Sequence, residues 1–248
     1  MSSPDPLSPD PHTAPFEADV ARDGAYVYTS DTRLSSATAN RRLTEAALSV
    51  ADFRGRRVID IGCGDGTYTT ELVELGGASE VTGVDPAGNA IRAAQARVGA
   101  LPVNFAEASA YALPYEADAF ELAQLRGVLH HVERPRDALE EALRVAPRVI
   151  VIEPNGYNPG LKVLERVSRY HVEHDERSYA PRTLDGWIEE LGATVEARVF
   201  AGFVPMFCPD RLARAMKRVE PVVEGVPLLR AAGCAVYICA AVREQARA

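Results

Sequence analysis

The chain has 248 residues, 47% of them hydrophobic, and a formal net charge of −8. That is enough apolar material for the core of one α/β domain with a small lid and too little for a second complete domain. The acidic balance, with a pI of about 5.2, argues against a nucleic-acid partner, whose phosphates call for a basic footprint. No apolar run reaches transmembrane length and no basic segment leads into one, so neither export nor a membrane partner is expected. Cys63, Cys208, Cys234 and Cys239 form no C-x-x-C pair and have no histidines at zinc spacing. A reduced, cytoplasmic protein without a metal is the reading they give.

Residues 1–20, with prolines at 4, 6, 9, 11 and 15, read as a disordered tail, and residues 21–248 as a single domain. Between 21 and 52 the pattern is helical, with Leu43, Ala46, Ala47, Val50 and Phe53 on one face. Tyr26, Tyr28 and Arg33 precede it, either as exposed neighbours of an ordinary packing helix or as part of a segment folded over the site.

The stretch VIDIGCGDGTYT at residues 58–69 organises the rest of the chain. Val58, Ile59 and Ile61 predict a strand buried on both faces, which Gly62, Gly64 and Gly66 break. Three glycines in five residues imply positive φ or a backbone held close to a ligand. A helix from Thr67, with Leu72, Val73 and Leu75 spaced along it, points its unpaired N–H groups at the same turn, where an anionic group is favoured. A dinucleotide fingerprint places its third glycine one residue later, where Thr67 stands, which weakens the nicotinamide reading.

Residues 80–85 predict a second strand ending in Asp85, nineteen residues after Gly66. A carboxylate at that end of a strand faces the ligand crevice and suits two vicinal ribose hydroxyls, each bond contributing roughly 1.5–3 kcal/mol. The alternative role is a helix cap for the segment from Pro86. A helix with Ile91, Ala94, Gln95 and Val98 inward comes next, then strands over 103–108 and 120–127. Arg126, near the end of the fourth, can meet cofactor or substrate. His130 and His131 read as structural ahead of proton abstraction, and Asp137 with Glu140 predicts a capping box. A fifth strand runs into Glu153-Pro154-Asn155 at the crevice.

Residues 155–180 depart from the alternation and read as a lid, with Leu161, Val163, Leu164, Val167 and Tyr170 on one helix face. His171 and His174, three apart, serve either as a general base near neutral pH or as part of a solvated helix end. Their spacing is not that of a metal site. A helix over 183–191 stopped by Gly192, a strand over 194–202, a helix over 211–219 and a last strand over 234–243 complete the chain.

Together these motifs resemble the class I S-adenosylmethionine-dependent methyltransferases, in the small-molecule branch often labelled type 11. The resemblance covers residues 40–243. It rests on Asp60 followed by G-x-G-x-G, on Asp85, on EASAYALPY aligned at Leu113 and Pro114, on Asp118, on the His130-His131 pair and on Glu153-Pro154-Asn155. It implies a doubly wound, mostly parallel, seven-stranded Rossmann-like sheet with an antiparallel last strand and a helical lid. It also implies S-adenosyl-L-methionine as cofactor, held by Asp60, Gly62, Cys63, Gly64, Asp85, Pro86, Ser109, Ala110 and Arg126. Ser109 stands where the family commonly has aspartate, leaving a weaker partner for the adenine amino group and more for the Ala110 N–H to supply. The D/N-P-P-Y/F motif of DNA and RNA amino-methylating relatives is missing after the fourth strand. The implied reaction moves a methyl group to a small-molecule acceptor, with oxygen favoured over nitrogen or carbon, in specialised or natural-product metabolism, and His171 or His174 serves an oxygen acceptor as base. The rival readings are a non-catalytic S-adenosylmethionine-binding module and a nicotinamide-dependent oxidoreductase. A homodimer stays open.

Overall fold

The computed structural model describes residue 29 and residues 32–168 and 177–244. The tail at 1–20, Tyr26, Tyr28, His171 and His174 lie outside the described residues. Chain order runs α1 (Leu34–Val50), β1 (Arg57–Ile61), α2 (Thr67–Glu74), β2 (Glu80–Asp85), α3 (Gly88–Arg97), β3 (Val103–Glu107), β4 (Leu122–Arg126), α4 (Pro135–Val145) and β5 (Arg148–Pro154). It continues with α5 (Pro159–Val167), α6 (Pro181–Glu190), β6 (Ala193–Ala201), α7 (Asp210–Gly225), α8 (Pro227–Gly233) and β7 (Val236–Arg243).

The strands form one sheet in the order β3-β2-β1-β4-β5-β7-β6. Pairing is parallel from β3 through β5, as in Val58 against both Val81 and Leu122. β7 lies antiparallel between β5 and β6, with Val151 opposite Cys239. The expected mostly parallel, seven-stranded sheet with a reversed last strand is the observed one.

Alternate side chains along the strands fill two separate cores, which is why β1, β4 and β5 carry apolar residues at adjacent positions instead of in strict alternation. Val58, Val81, Leu122, Ile150, Ile152 and Ile238 pack with Leu43, Ala46 and Ala47 of α1 and Leu72 of α2. Ile59, Ile61, Leu125, Val149, Val151 and Cys239 pack on the opposite face with Leu139, Ala142 and Leu143 of α4 and Leu184 and Ile188 of α6. This two-faced burial fixes where each strand ends, and the strand ends carry the candidate site.

Local readings needed correction in several places. α4 begins at Pro135, whose preset φ suits the first helical position; Asp137 therefore falls in the first turn, bound by Arg134 Nη1 at 2.7 Å, and the capping box with Glu140 does not form. On α3 the inward residues are Ala90, Ile91 and Ala94, while Gln95 is exposed and donates to the Phe105 carbonyl. α7 runs on to Gly225 and is followed by α8, which the pattern did not indicate. α5 buries none of its residues. All four cysteines are free. Among the described residues no group of histidines, cysteines and acids is arranged to hold a metal, and no helix is long and apolar enough to cross a membrane.

Candidate active site

Gly62, Gly64 and Gly66 all adopt the left-handed conformation, with φ of 73°, 55° and 74°. Part of the reason is the protein itself. A Cβ on Gly62 would lie 2.4 Å from Val128 Cγ2, and one on Gly66 2.6 Å from the Phe105 ring. The turn is pressed between the loop after β4 and the side chains of β3, and Gly62 and Cys63 donate to the Val84 carbonyl at 2.7 and 3.0 Å. The Cys63 thiol is enclosed, with its sulfur 3.8 Å from the Gly64 carbonyl. Burial, and then the charges of Asp85 and Asp60, push its pKa well up, so it is an inert packing group.

Asp85 closes the turn. Its Oδ2 accepts from the Gly64 N–H and its Oδ1 from the Ala87 N–H, both at 2.9 Å. Ala87, not Asp85, is the residue flanking α3, so the carboxylate pins the glycine turn to the end of β2 instead of capping the helix. Each carboxylate oxygen can accept more than one bond. Pro86 is exposed beside it, and the Ala108 N–H bonds the Asp85 carbonyl at 3.2 Å. That contact brings Ser109 and Ala110, both half-buried, to the neighbouring strand end, where Ser109 Oγ accepts from the Tyr111 N–H at 3.3 Å.

Asp60 lies beneath the turn with both oxygens engaged, one by Thr69 Oγ1 at 2.6 Å and the other by Gln124 Nε2 at 3.1 Å. Burial raises its pKa, opposed by those two hydrogen bonds and by the Arg126 charge. It anchors α2 to β1 and β4.

Arg126 extends this polar layer. Its guanidinium carbon sits 3.5 Å from the centre of the Tyr68 ring, and its Nη1 donates to Thr44 Oγ1 at 2.9 Å. Thr44 in turn donates to Glu71 at 2.5 Å. Burial lowers the Arg126 pKa against the pull of Tyr68, Glu71 and Asp60, and burial raises that of Tyr68 to about 12, leaving a neutral phenol. Among the described residues, Arg126 Nη2 and Thr67 Oγ1 are buried without a hydrogen-bond partner. An unpartnered buried donor is costly, and here one stands close to the first turn of α2, whose N-terminus favours negative charge. A ligand with a carboxylate at one end and a diol at the other fits this set of groups.

Several contributors carried no clear sequence signal. Asp65, 1% exposed, accepts from Thr29 Oγ1 at 2.6 Å and from the Thr67 N–H at 3.1 Å, with Arg97 3.6 Å away. Thr29 thus meets the glycine turn, and four residues on, Arg33 lies over the Phe207 ring and reaches its carbonyl at 3.4 Å. The segment before α1 touches both the turn and the loop between β6 and α7. Thr44 and Tyr68 were missed as well, since they join the site only through contacts with Arg126.

Glu153, fully buried, accepts from the N–H groups of Val128, Leu129 and His130 at 2.8, 2.8 and 3.3 Å and lies 2.6 Å from His130 Nδ1. The His131 ring lies against that of His130, centres 3.8 Å apart and planes tilted by 43°. His130 therefore holds the loop after β4, as its structural reading proposed.

Residues 59–149 match a family described as "Methyltransferase domain". Residues 59–149 carry a methyltransferase domain, set in the seven-stranded sheet described above. The chain is 28% identical over 184 residues to a demethylmenaquinone methyltransferase of Clavibacter sepedonicus, spanning 64% of this chain and 74% of that one. It is 35% identical over 159 residues to a tRNA U34 carboxymethyltransferase of Methylococcus capsulatus, spanning 61% of this chain and 48% of the relative. The chain spans less than half the length of several other curated relatives, 41% and 36% in two cases. Among solved structures, the magnesium protoporphyrin IX methyltransferase of Synechocystis with bound S-adenosylhomocysteine superimposes with a TM-score of 0.60 at 15% identity, covering 86% of this chain and 89% of that one.

Proposed function

We propose that the protein transfers a methyl group from S-adenosylmethionine to a small organic acceptor, with oxygen the favoured atom, as a reduced, cytoplasmic enzyme of specialised metabolism. The observation that carries the proposal is the pairing of two features across one glycine turn: the Asp85 carboxylate tied to Gly64, and the unpartnered Arg126 Nη2 below the turn. Asp85 accepts from the ribose hydroxyls, Arg126 and the first turn of α2 hold the methionine carboxylate, and Ser109 with the Ala110 N–H meets the adenine. Asp60, its oxygens already engaged, and Cys63, its thiol enclosed, act by shaping the turn, with Gly62, Gly64 and Pro86 supplying backbone. When bound, the cofactor supplies a methyl group on a positively charged sulfur, a good leaving group. The protein's contribution is to align acceptor, methyl and sulfur and to exclude water. An oxygen acceptor calls for a base, for which His171 and His174 are the candidates.

A small acceptor is favoured over nucleic acid by the net charge of −8 and by the missing amino-methylation motif after β4. Likeness to a demethylmenaquinone methyltransferase over 74% of its length also supports it, whereas the tRNA-modifying relative is matched over less than half. The test is incubation with S-adenosylmethionine carrying a labelled methyl group and a panel of phenols, quinols, amines and bulk tRNA. Label in a phenol or quinol, with an equal amount of S-adenosylhomocysteine released, is the expected result. Tight cofactor binding with no label in any acceptor points to the non-catalytic module, and label in tRNA overturns the small-molecule assignment.

A further inference from the structure

α7 and α8 present an unusual outer surface. α7 is held to the body by Ala213, Glu220 and Val223 and by the ion pair of Glu224 with Arg42 at 2.6 Å. Its outward half carries Leu212, Val219 and Val222, exposed by 48%, 49% and 58%, and the turn into α8 continues with Val226 at 42%, Leu228 at 83% and Leu229 at 48%. Scattered exposed leucines are ordinary, but six large aliphatic side chains exposed on one helical hairpin are a concentration of the kind found at docking surfaces. Arg211, Arg214, Lys217 and Arg218 lie along the same helix, four cations within eight residues of an acidic chain. Lys217 pairs with Glu220 and Arg214 lies 3.7 Å from Asp210. Arg211 and Arg218 are exposed, with no ion pair among the described residues.

We propose that this hairpin docks the protein onto an anionic lipid surface, its aliphatic side chains entering the headgroup boundary and its arginines meeting lipid phosphates. Interfacial helices of this kind combine an aliphatic face with flanking cations, and they need neither spanning length nor high mean hydropathy. The absence of a spanning segment, on which the expectation of no membrane partner rested, therefore does not bear on this mode of binding. The charge pattern disfavours a second copy of the chain, because a two-fold interface would set the arginine-bearing face against itself. The aliphatic half of the patch disfavours RNA, whose backbone offers it nothing to bury. The hairpin also adjoins the edge of the sheet that bears the cofactor crevice. Asn158, which caps α5 through Gly160 and Leu161, donates to the carbonyls of Gly233 and Cys234 at the end of α8.

The experiment is co-sedimentation of the full chain with vesicles of phosphatidylcholine alone or mixed with phosphatidylglycerol. The comparison variants are Val222→Asp/Leu228→Asp and Arg211→Gln/Arg218→Gln, with S-adenosylhomocysteine affinity as the control for folding. Binding to the anionic vesicles is expected, falling about tenfold or more in the aspartate variant and about fivefold for each arginine removed, while cofactor affinity is unchanged. No binding to either vesicle, binding that ignores both variants, a dimer in solution that the aspartates convert to monomer, or arginine-dependent capture of tRNA instead of vesicles each overturns the proposal. Cofactor affinity is read independently of vesicle binding, so the docking surface and the methyl-transfer reading fail separately.

Discussion

The sheet edge around the glycine turn and the helices added after β5 solve opposite problems. At the turn, buried polar groups are tied into one another: Asp60 to Thr69 and Gln124, Asp85 to Gly64 and Ala87, Glu153 to the loop after β4. Past β5, α5, α7 and α8 leave Val163, Val167, Val222 and Leu228 exposed by more than half. Burying a polar group demands a fixed partner, so the turn has little freedom to vary. An exposed aliphatic side chain demands nothing of its neighbours, so the later helices can be shaped by whatever they meet. The first region suits an invariant cofactor and the second a particular acceptor or surface.

The largest effect is expected at Glu153. Glu153→Ala leaves three buried N–H groups and His130 without their acceptor and is expected to cost about 3–5 kcal/mol, read from the urea midpoint. A cost near zero would mean that the loop after β4 is not organised by this carboxylate. Next comes Gly62→Ala, which combines left-handed strain of about 1–2 kcal/mol with a Cβ driven into Val128. It is expected to lower both stability and cofactor affinity, whereas a substitution on α8 such as Leu228→Ser should shift stability by no more than about 0.5 kcal/mol.

A smaller effect is expected in the pH dependence of stability. Glu141 is partly buried, which alone would raise its pKa, but hydrogen bonds from Arg144 and the Leu113 N–H bring it below the ordinary value. Its folded pKa is depressed, so its contribution is complete above the unfolded value of about 4.3 and is lost as the pH falls through the folded one. Melting temperature against pH should fall less steeply below that point in Glu141→Gln than in the wild type. Parallel curves would show that this carboxylate does not link α4 to the loop behind Ser109.

The order of strands, the glycine turn and Asp85 were legible because each rests on local pattern: β-branched runs, glycines at fixed offsets and a carboxylate at a strand end. The polar layer under the turn was not. Arg126 meets Thr44 across 82 positions of sequence and Gln124 meets Asp60 across 64, and nothing local in either partner announces the other. Ligand contact was the sequence explanation for the glycines, yet Gly62 and Gly66 are required in part by Val128 and Phe105. α5 and α7 showed helical spacing, but spacing alone does not say whether an apolar face is covered. In α5 it is not.

Calorimetric titration of S-adenosylmethionine and S-adenosylhomocysteine into the wild type and Asp85→Ala, with NADH and NADPH alongside, tests whether Asp85 holds the cofactor. Micromolar binding of both sulfur compounds is expected, weakened by at least about tenfold in the variant through loss of one or two charge-assisted hydrogen bonds, with no nicotinamide binding. Nicotinamide binding in place of the sulfur cofactors, or sulfur-cofactor binding that Asp85→Ala leaves intact, would contradict this expectation.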